Sequence, residues 1–497
     1  MAGWINTSSF YKLYGPDGAN MLRPWQIHFR IDEREEKTVF LKLTNLISQE
    51  ILSGRLVQGT MLPGSRSLSK ELGINRKTVQ AVYEELEAQG WLVTRPRKGT
   101  FVADVLPEKK PHIEPRADRK VINKPIIQQV AQRPHNDGVP DPRLIPYELF
   151  SRAYRHALIK ITQNQYMGYG DPRGMAELRQ ALKQMLSMER FMNVAEDEIC
   201  IVRGSQMGIF LASRALPNRQ GVIIVEELYY PSAFKAFQSN GFQVVSVKLD
   251  DQGIVIEDLE RILKEHSVAA IYTTPHHQYP TTVTMTMSRR LQLLELSKKW
   301  GFYIIEDDYD HEFHYDSRPM PPLASLPHSE LVIHVGSLSK VFAPGIRLGY
   351  IVAAPTIIHS ITEDILLIDR QGNNITELAL ADLMQRGEIK RHIRKMKKIY
   401  QLRRDHALAG FQRVFAESIQ IQPPAGGMAL WVKFQKSFTQ DQLIKLKELN
   451  IDTEQKFKQK ECANHCIRFG FAALSEKEIT SLIETLNEAL NKRTADS

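Results

Sequence analysis

Cysteine is scarce in this chain: 497 residues carry only three, Cys200, Cys462 and Cys466. Three thiols cannot build a disulfide framework, and their scarcity fits a reducing cytoplasm. Long apolar runs are also missing; none reaches the roughly 20 residues that cross a bilayer. Residues 1–20 lack the basic start and apolar core of a secretory signal. No internal repeat and no low-complexity tract is visible. Cys462-Ala-Asn-His465-Cys466 has metal-ligand residue types, but no second ligand pair accompanies it, so no metal is expected there. These absences argue against a disulfide-stapled secreted domain, a protein with membrane-spanning helices and a repeat array.

A chain of this length exceeds one core, so two or three domains are expected. Hydrophobic residues make up 42% of it, an ordinary share for a globular protein. The net charge of +8 is unevenly placed. Residues 37–102 hold ten Lys/Arg against five Asp/Glu, and residues 103–134 hold seven against four. The remaining 135–497 are close to neutral, at +1. A basic head on a near-neutral body is the footprint of a phosphate-backbone binder.

Within that head, Val39, Leu43, Leu46, Ile47 and Ile51 recur at helical spacing. Leu62-Pro63-Gly64-Ser65 opens a short second helix that Gly73-Ile74-Asn75 breaks, and Asn75 is placed to cap a third. That third helix runs from Arg76 to about Gln89, with Val79, Val82 and Leu86 facing inward, and Gly90 ends it. Trp91–Thr94 and Thr100–Val102 then read as two strands around the basic turn Arg95-Pro96-Arg97-Lys98-Gly99. Three helices and a basic hairpin predict a winged helix-turn-helix whose third helix enters the major groove by its N-terminal end. Arg76, Lys77, Thr78 and Gln80 are the side chains placed to reach phosphates or base edges. Arg66 and Lys98 are placed to contact the phosphate backbone.

These residues resemble the GntR-type winged helix, in particular Leu62-Pro63-Gly64-Ser65-Arg66, Leu72 to Val79, Leu86 to Gly90 and Lys98 to Val102. Asn75 stands where that family often has serine, and both can cap. The resemblance covers roughly residues 37–103, which implies a DNA-binding domain there. Residues 1–36 read as a partly disordered lead, with Met21 as a usable start and 25–30 as an added strand. Residues 104–136 read as a linker: six prolines lie between 104 and 140, with little periodic hydrophobicity.

The rest, about 137–490, alternates apolar runs with helical stretches. The runs are Ile199–Val202, Val222–Val225, Val244–Val247, Ala269–Tyr272, Tyr303–Ile305, Val332–Val335 and Gly349–Val352. This is the pattern of an α/β fold with a doubly wound, mostly parallel sheet, whose chemistry collects beyond the carboxyl ends of the strands. Lys340 falls at such an end, after Gly336-Ser337, with Ala343-Pro344-Gly345-Ile346-Arg347 following. Its amine can form a Schiff base with a carbonyl. Asp307 ends the run Tyr303–Ile305 and can hold a pyridine nitrogen protonated, the state in which pyridoxal 5'-phosphate is an electron sink. Tyr309, two residues on, lies on the same side of an extended chain and can bond the ring's phenolic oxygen. Asp308 and Asp310 should point elsewhere.

Donors for a phosphate are also present. Arg347 offers a planar fork, Ser337 a hydroxyl, and the glycine-bounded turn at Ser205 and Gln206 opens a helix whose free amides suit an anion. Tyr230 is placed to stack on the cofactor face. His277 or Gln278 is expected to bond the ring oxygen or lie beside it; no acid is spaced to complete a metal site with His276 and His277. His311 and His314 read as loop residues. Arg468, in the apolar run Cys466 to Phe471, can take a ligand carboxylate or a structural partner.

The stretch from about 137 to 490 resembles a fold-type I, class I aminotransferase. Tyr169-Gly170-Asp171-Pro172-Arg173-Gly174 with Leu178-Arg179, the Asp307 and Tyr309 pair, and Ser337-x-Ser339-Lys340 with Arg347 match that pattern in order. The resemblance implies a small C-terminal α+β subdomain and a Schiff base at Lys340. It implies a phosphate reached by Tyr169 from the neighbouring subunit, and a ligand carboxylate on Arg468. The asparagine usual beside the ring oxygen is absent, and His276 to Pro280 stands there instead.

Both halves together resemble the MocR/GabR subfamily of GntR regulators. That resemblance implies a cytoplasmic, PLP-dependent transcriptional regulator that senses an amine, an amino acid or PLP itself. It also implies a head-to-tail homodimer on an operator of double-stranded DNA with two half-sites. An active aminotransferase with a DNA-binding appendage is the alternative, since the residues for proton transfer at Lys340 are present. Ser232, Ala233 and Phe234 follow Pro231, so no arginine stands just after Tyr230 to take the distal carboxylate of γ-aminobutyrate.

Overall fold

A computed structural model describes residues 38–107, 138–164, 168–315, 318–342, 344–458 and 464–491. The expected lead, nearly all of the expected linker, and Cys462 lie outside the described residues. The described chain divides into two compact units, one holding 38–107 and the other beginning at 138.

The first unit packs helices α1 (Val39–Leu52), α2 (Ser65–Leu72) and α3 (Arg76–Ala88) against the hairpin β1 (Leu92–Arg95) and β2 (Gly99–Val102). Capping explains the tight turn between α2 and α3. Gly73 adopts the left-handed conformation (φ 67°) that ends α2, and Asn75 Oδ1 accepts from the Lys77 amide at 2.9 Å to start α3. Leu43, Ile47, Leu68, Val79, Val82 and Leu86 close one core with Leu92 and Val102 of the hairpin. Tyr83 joins that inner stripe, its hydroxyl donating to the Pro63 carbonyl at 2.8 Å. The strands are antiparallel, Leu92 opposite Val102 and Arg95 opposite Gly99.

The second unit is built on a seven-stranded sheet. Its strands are β3 (Ile199–Val202), β4 (Val222–Glu226), β5 (Val244–Val247), β8 (Val268–Thr273), β9 (Tyr303–Asp308), β10 (Val332–Ser337) and β11 (Gly349–Val352). A short hairpin of β6 (Leu249–Asp250) and β7 (Gly253–Ile254) lies between β5 and β8 in sequence. In space the order is β3-β11-β10-β9-β8-β4-β5. β11 runs antiparallel to both its neighbours, and the other pairs are parallel. Alternation of side chains divides each strand between two layers. Ile223, Ile305 and Ile333 enter the core on one face, while Ile224, Ile304 and Val332 enter the core on the other.

Preceding and covering helices include α4 (Tyr147–Asn164), α5 (Ala176–Arg190) and α6 (Ser205–Arg214). The 28-residue helix Glu388–Phe415 leads to a smaller antiparallel sheet. It comprises β12 (Ile419–Ile421), β13 (Ala429–Phe434), β14 (Asp452–Thr453) and β15 (Cys466–Gly470), in the order β12-β13-β15-β14. Phe411, Leu430, Ile467, Phe469 and Ile483 form its core. No described helix is long and apolar enough to cross a membrane.

Candidate functional site

The carboxyl ends of β8, β9 and β10 and the start of α6 surround a cavity of about 170 Å³. Lys340, Asp307, Tyr309, Tyr230 and Ser205 line it, joined by Tyr272, Thr274, Tyr279 and Val139. The Lys340 ammonium sits 4.5 Å from the centre of the Tyr309 ring and donates to the Gly138 carbonyl at 3.4 Å. Asp307 is 4% exposed. Its Oδ2 accepts from the Tyr272 hydroxyl at 2.8 Å, and its Oδ1 is buried without a hydrogen-bond partner among the described residues. Burial pushes this carboxyl up to about 7, against the opposing pull of the Tyr272 hydrogen bond and the Lys340 charge. A protonated pyridine N–H at Oδ1 would supply the partner that burial leaves missing. The residues present fit pyridoxal 5'-phosphate at its ring nitrogen.

The phosphate end is shaped by glycine. Gly204 precedes α6 with φ 78°, and a Cβ there would lie 3.0 Å from Arg347 Nη2. Arg347 Nη2 donates to the Arg203 carbonyl at 3.1 Å. A Cβ on Gly349, at the start of β11, would come within 2.9 Å of Gly204 C and 3.0 Å of the Ser205 amide nitrogen. β11 therefore approaches the first turn of α6 at backbone distance, and Ser337, opposite Gly349 in the ladder, lies on that side of the sheet end. First-turn amides lack intrahelical partners, so this cradle has the donors an anion needs. The Gln206 side-chain amide donates to the Ser232 carbonyl at 3.1 Å, and its backbone amide belongs to the first turn of the cradle.

Other expected residues are placed differently. The Tyr309 hydroxyl donates to the His277 carbonyl at 2.9 Å. His277 does not line the cavity; its Nδ1 lies 2.8 Å from Asp310 Oδ1, with both groups buried. Gln278 is also withdrawn, donating to Glu226 Oε2 at 2.9 Å and to the Leu228 carbonyl at 2.6 Å. The physical reason is a buried carboxylate: Glu226, 1% exposed at the end of β4, gathers donors from the loop after β8. Thr274 and Tyr279 line the cavity where His277 or Gln278 was expected. Asp308 turns to Arg190 at 2.7 Å, away from Asp307. His311 is in the turn after β9, as expected of a loop residue, but is 5% exposed, beside Asp308. His314 is half-buried, in an isolated bridge with Gly426.

Arg468, on β15, is 3% exposed; its Nη1 donates to the Pro280 carbonyl at 2.7 Å and its guanidinium lies 4.4 Å from the Tyr279 ring centre. A Cβ on Gly138 would stand 3.4 Å from its Nη2, so the Gly138-Val139 strap adjoins both Arg468 and Lys340. Tyr169 is 81% exposed beneath Arg370 and does not line this chain's cavity. In the first unit, Arg66, Arg76, Lys77, Gln80 and Lys98 are exposed and Thr78 is half-buried.

Glu226 gives a pH prediction. Burial pushes its carboxyl up to about 7, opposed by hydrogen bonds from Thr273, Gln278 and Thr274. Between its ordinary range and about 7 the folded state keeps a proton that the unfolded chain has released, so this group's contribution to stability falls as pH rises. In cofactor-free protein, Glu226→Gln is expected to remove up to about 1.4 kcal/mol per pH unit of that slope. Urea midpoints at successive pH values across that window would measure it, and an unchanged slope would reject the assignment.

Comparison with known proteins agrees with this architecture. Residues 147–486 match the profile of the family described as aminotransferase class I and II, and residues 41–102 match bacterial regulatory proteins of the gntR family. The chain belongs to the class I and II aminotransferase family. With its GntR winged helix in front, it is a DNA-binding regulator of the MocR/GabR type. The probable rhizopine catabolism regulatory protein MocR of Rhizobium meliloti is 27% identical, with 83% of this chain and 85% of that protein covered. The HTH-type transcriptional regulator YhdI of Bacillus subtilis is 29% identical, over 81% of this chain and 84% of that protein. Kynurenine aminotransferase from Pyrococcus horikoshii superposes with a TM-score of 0.65 and 28% identity, covering 72% of this chain and 90% of that structure. The fold and these neighbours imply PLP as the cofactor.

Proposed function

We propose that this regulator binds pyridoxal 5'-phosphate in the Lys340 cavity and there senses an amine or amino acid. The observation that carries the reading is that Lys340 and Asp307, whose Oδ1 is buried without a partner among the described residues, line one cavity together with the first residue of α6. When bound, the cofactor supplies an aldehyde that captures amines and a ring that withdraws electrons. Lys340 would hold it covalently, Asp307 its ring nitrogen, Tyr309 its ring oxygen and Tyr230 its face. Ser205, Ser337, Arg347 and the backbone at Gln206 would hold the phosphate, with Tyr169 reaching a neighbouring subunit's site. An effector's amine would compete with Lys340 and its carboxylate would go to Arg468. The Gly138-Val139 strap touches Lys340, so a change in lysine partner reaches the residues that follow the connecting segment. The effector shifts DNA binding only as far as it favours one arrangement over another. The domains we assign are 37–103 for DNA, 104–136 as linker and 137–490 for the effector, in a cytoplasmic head-to-tail homodimer that spans two half-sites.

A screen of amines and amino acids, read by cofactor absorption and by DNA binding together, tests this. A hit that moves both supports sensing. If PLP alone alters DNA binding and no amine adds to it, the signal is the cofactor; steady production of an oxo acid would make the protein an aminotransferase instead. On the DNA side, Lys98→Ala is expected to weaken all sequences alike and lower the salt slope by about one. Arg76→Ala is expected to cost about 1–3 kcal/mol and relax sequence preference. Binding isotherms at several salt concentrations distinguish the two, and no change in either variant would remove this surface from the interface.

A further inference from the structure

We propose that His276, Asp308 and His311 form a binding site for a first-row divalent cation, with Zn²⁺ the chemical type, joining the loop after β8 to the end of β9. One ligand atom from each residue lies within 4.8 Å of the other two. The three residues are 4%, 2% and 5% exposed, so their donors face protein rather than solvent. His311 Nε2 and Asp308 Oδ1 are buried with no hydrogen-bond partner among the described residues. Unsatisfied polar atoms in such a place are costly, and a cation would satisfy both.

Two imidazoles and a carboxylate are a donor set suited to zinc, iron or cobalt rather than to magnesium or calcium. Donors on one tetrahedral zinc ion lie roughly 3.3 Å apart, so a loop adjustment of about 1 Å brings these three onto one ion. Both histidines stand outside regular strands, where the backbone can make that adjustment. His311 Nδ1 lies 3.1 Å from Asp308 Oδ2, so the ring's Nε2 and the other carboxylate oxygen are the atoms left for a cation.

The test uses the full-length, PLP-loaded protein, dialysed against a chelator and titrated with Zn²⁺ and, separately, Co²⁺. One equivalent of Zn²⁺ per chain is expected. His276→Gln and His311→Gln should each bind it at least roughly tenfold more weakly, while Cys466→Ser, which alters the separate Glu454, His465 and Cys466 group, should bind as before. Bound Co²⁺ should show visible bands without thiolate charge transfer. No stoichiometric binding, binding unchanged in both histidine variants, or a thiolate band would overturn the site. The Co²⁺ spectrum of the unaltered protein decides the matter even if a histidine variant fails to fold.

Discussion

Lys340→Ala is expected to lose the covalent attachment of the cofactor entirely. Borohydride treatment of the unaltered protein should fix the cofactor to this one side chain; the variant should show no adduct. Position 340 is part-buried at the end of β10, and its ammonium faces the Tyr309 ring and the Gly138 carbonyl. Alanine removes the amine and leaves the strand, its ladder and the α6 cradle in place. Cofactor held by the cradle and Asp307 alone should wash out on dialysis more readily. The DNA response to any amine effector should vanish while basal DNA binding persists, because the winged helix keeps its own core. A variant that still forms a reducible adduct would place the reactive amine elsewhere and sink the proposed sensing scheme.

Arg190→Met is expected to be the most destabilising single change near the site, by about 3–5 kcal/mol. Arg190 ends α5 and is 2% exposed, with Asp308 Oδ2 at 2.7 Å and Glu312 Oε1 at 2.6 Å. Its guanidinium is held above its ordinary range because the charges of Asp308 and Glu312 outweigh burial. Methionine fills a similar volume but removes the guanidinium from Glu312 and leaves Asp308 only its imidazole neighbours in a low-dielectric interior. The cost is the uncompensated charge that remains, not the worth of the ion pair. Asp308 adjoins Asp307, so weaker cofactor retention should accompany the loss. Denaturant midpoints at equal slope would measure it. A change below about 1 kcal/mol would mean that the carboxylates protonate or find water at little cost.

Much of the site could be read in one dimension because its chemistry lies in contiguous motifs. Asp307 and Tyr309 stand two apart on one strand end, and Ser337, Lys340 and Arg347 follow one strand. Each motif therefore travels as a unit onto the same end of the sheet. The cavity walls could not be read this way. Tyr272 reaches Asp307 only because β8 and β9 pair in parallel with Tyr272 opposite Ile305. A tyrosine closing the Ala269–Tyr272 run was the available signal, and it had no stated partner. His277 and Gln278 were expected at the ring oxygen on position alone, but buried Asp310 and Glu226 hold them back. Thr274 and Tyr279 take that wall.

Residue order alone determined the two folds and the main chemical parts. Continuous apolar runs, helix caps and a basic hairpin are local signals, and local signals need no partner to be read. Tertiary structure alone decided which polar groups are satisfied. It withdrew His277 and Gln278 into hydrogen bonds, left Asp307 Oδ1 buried without a partner among the described residues, and gathered His276 with Asp308 and His311 across an intervening helix and strand. The reason is that a buried charge draws its partners through space, at distances which spacing along the chain does not encode.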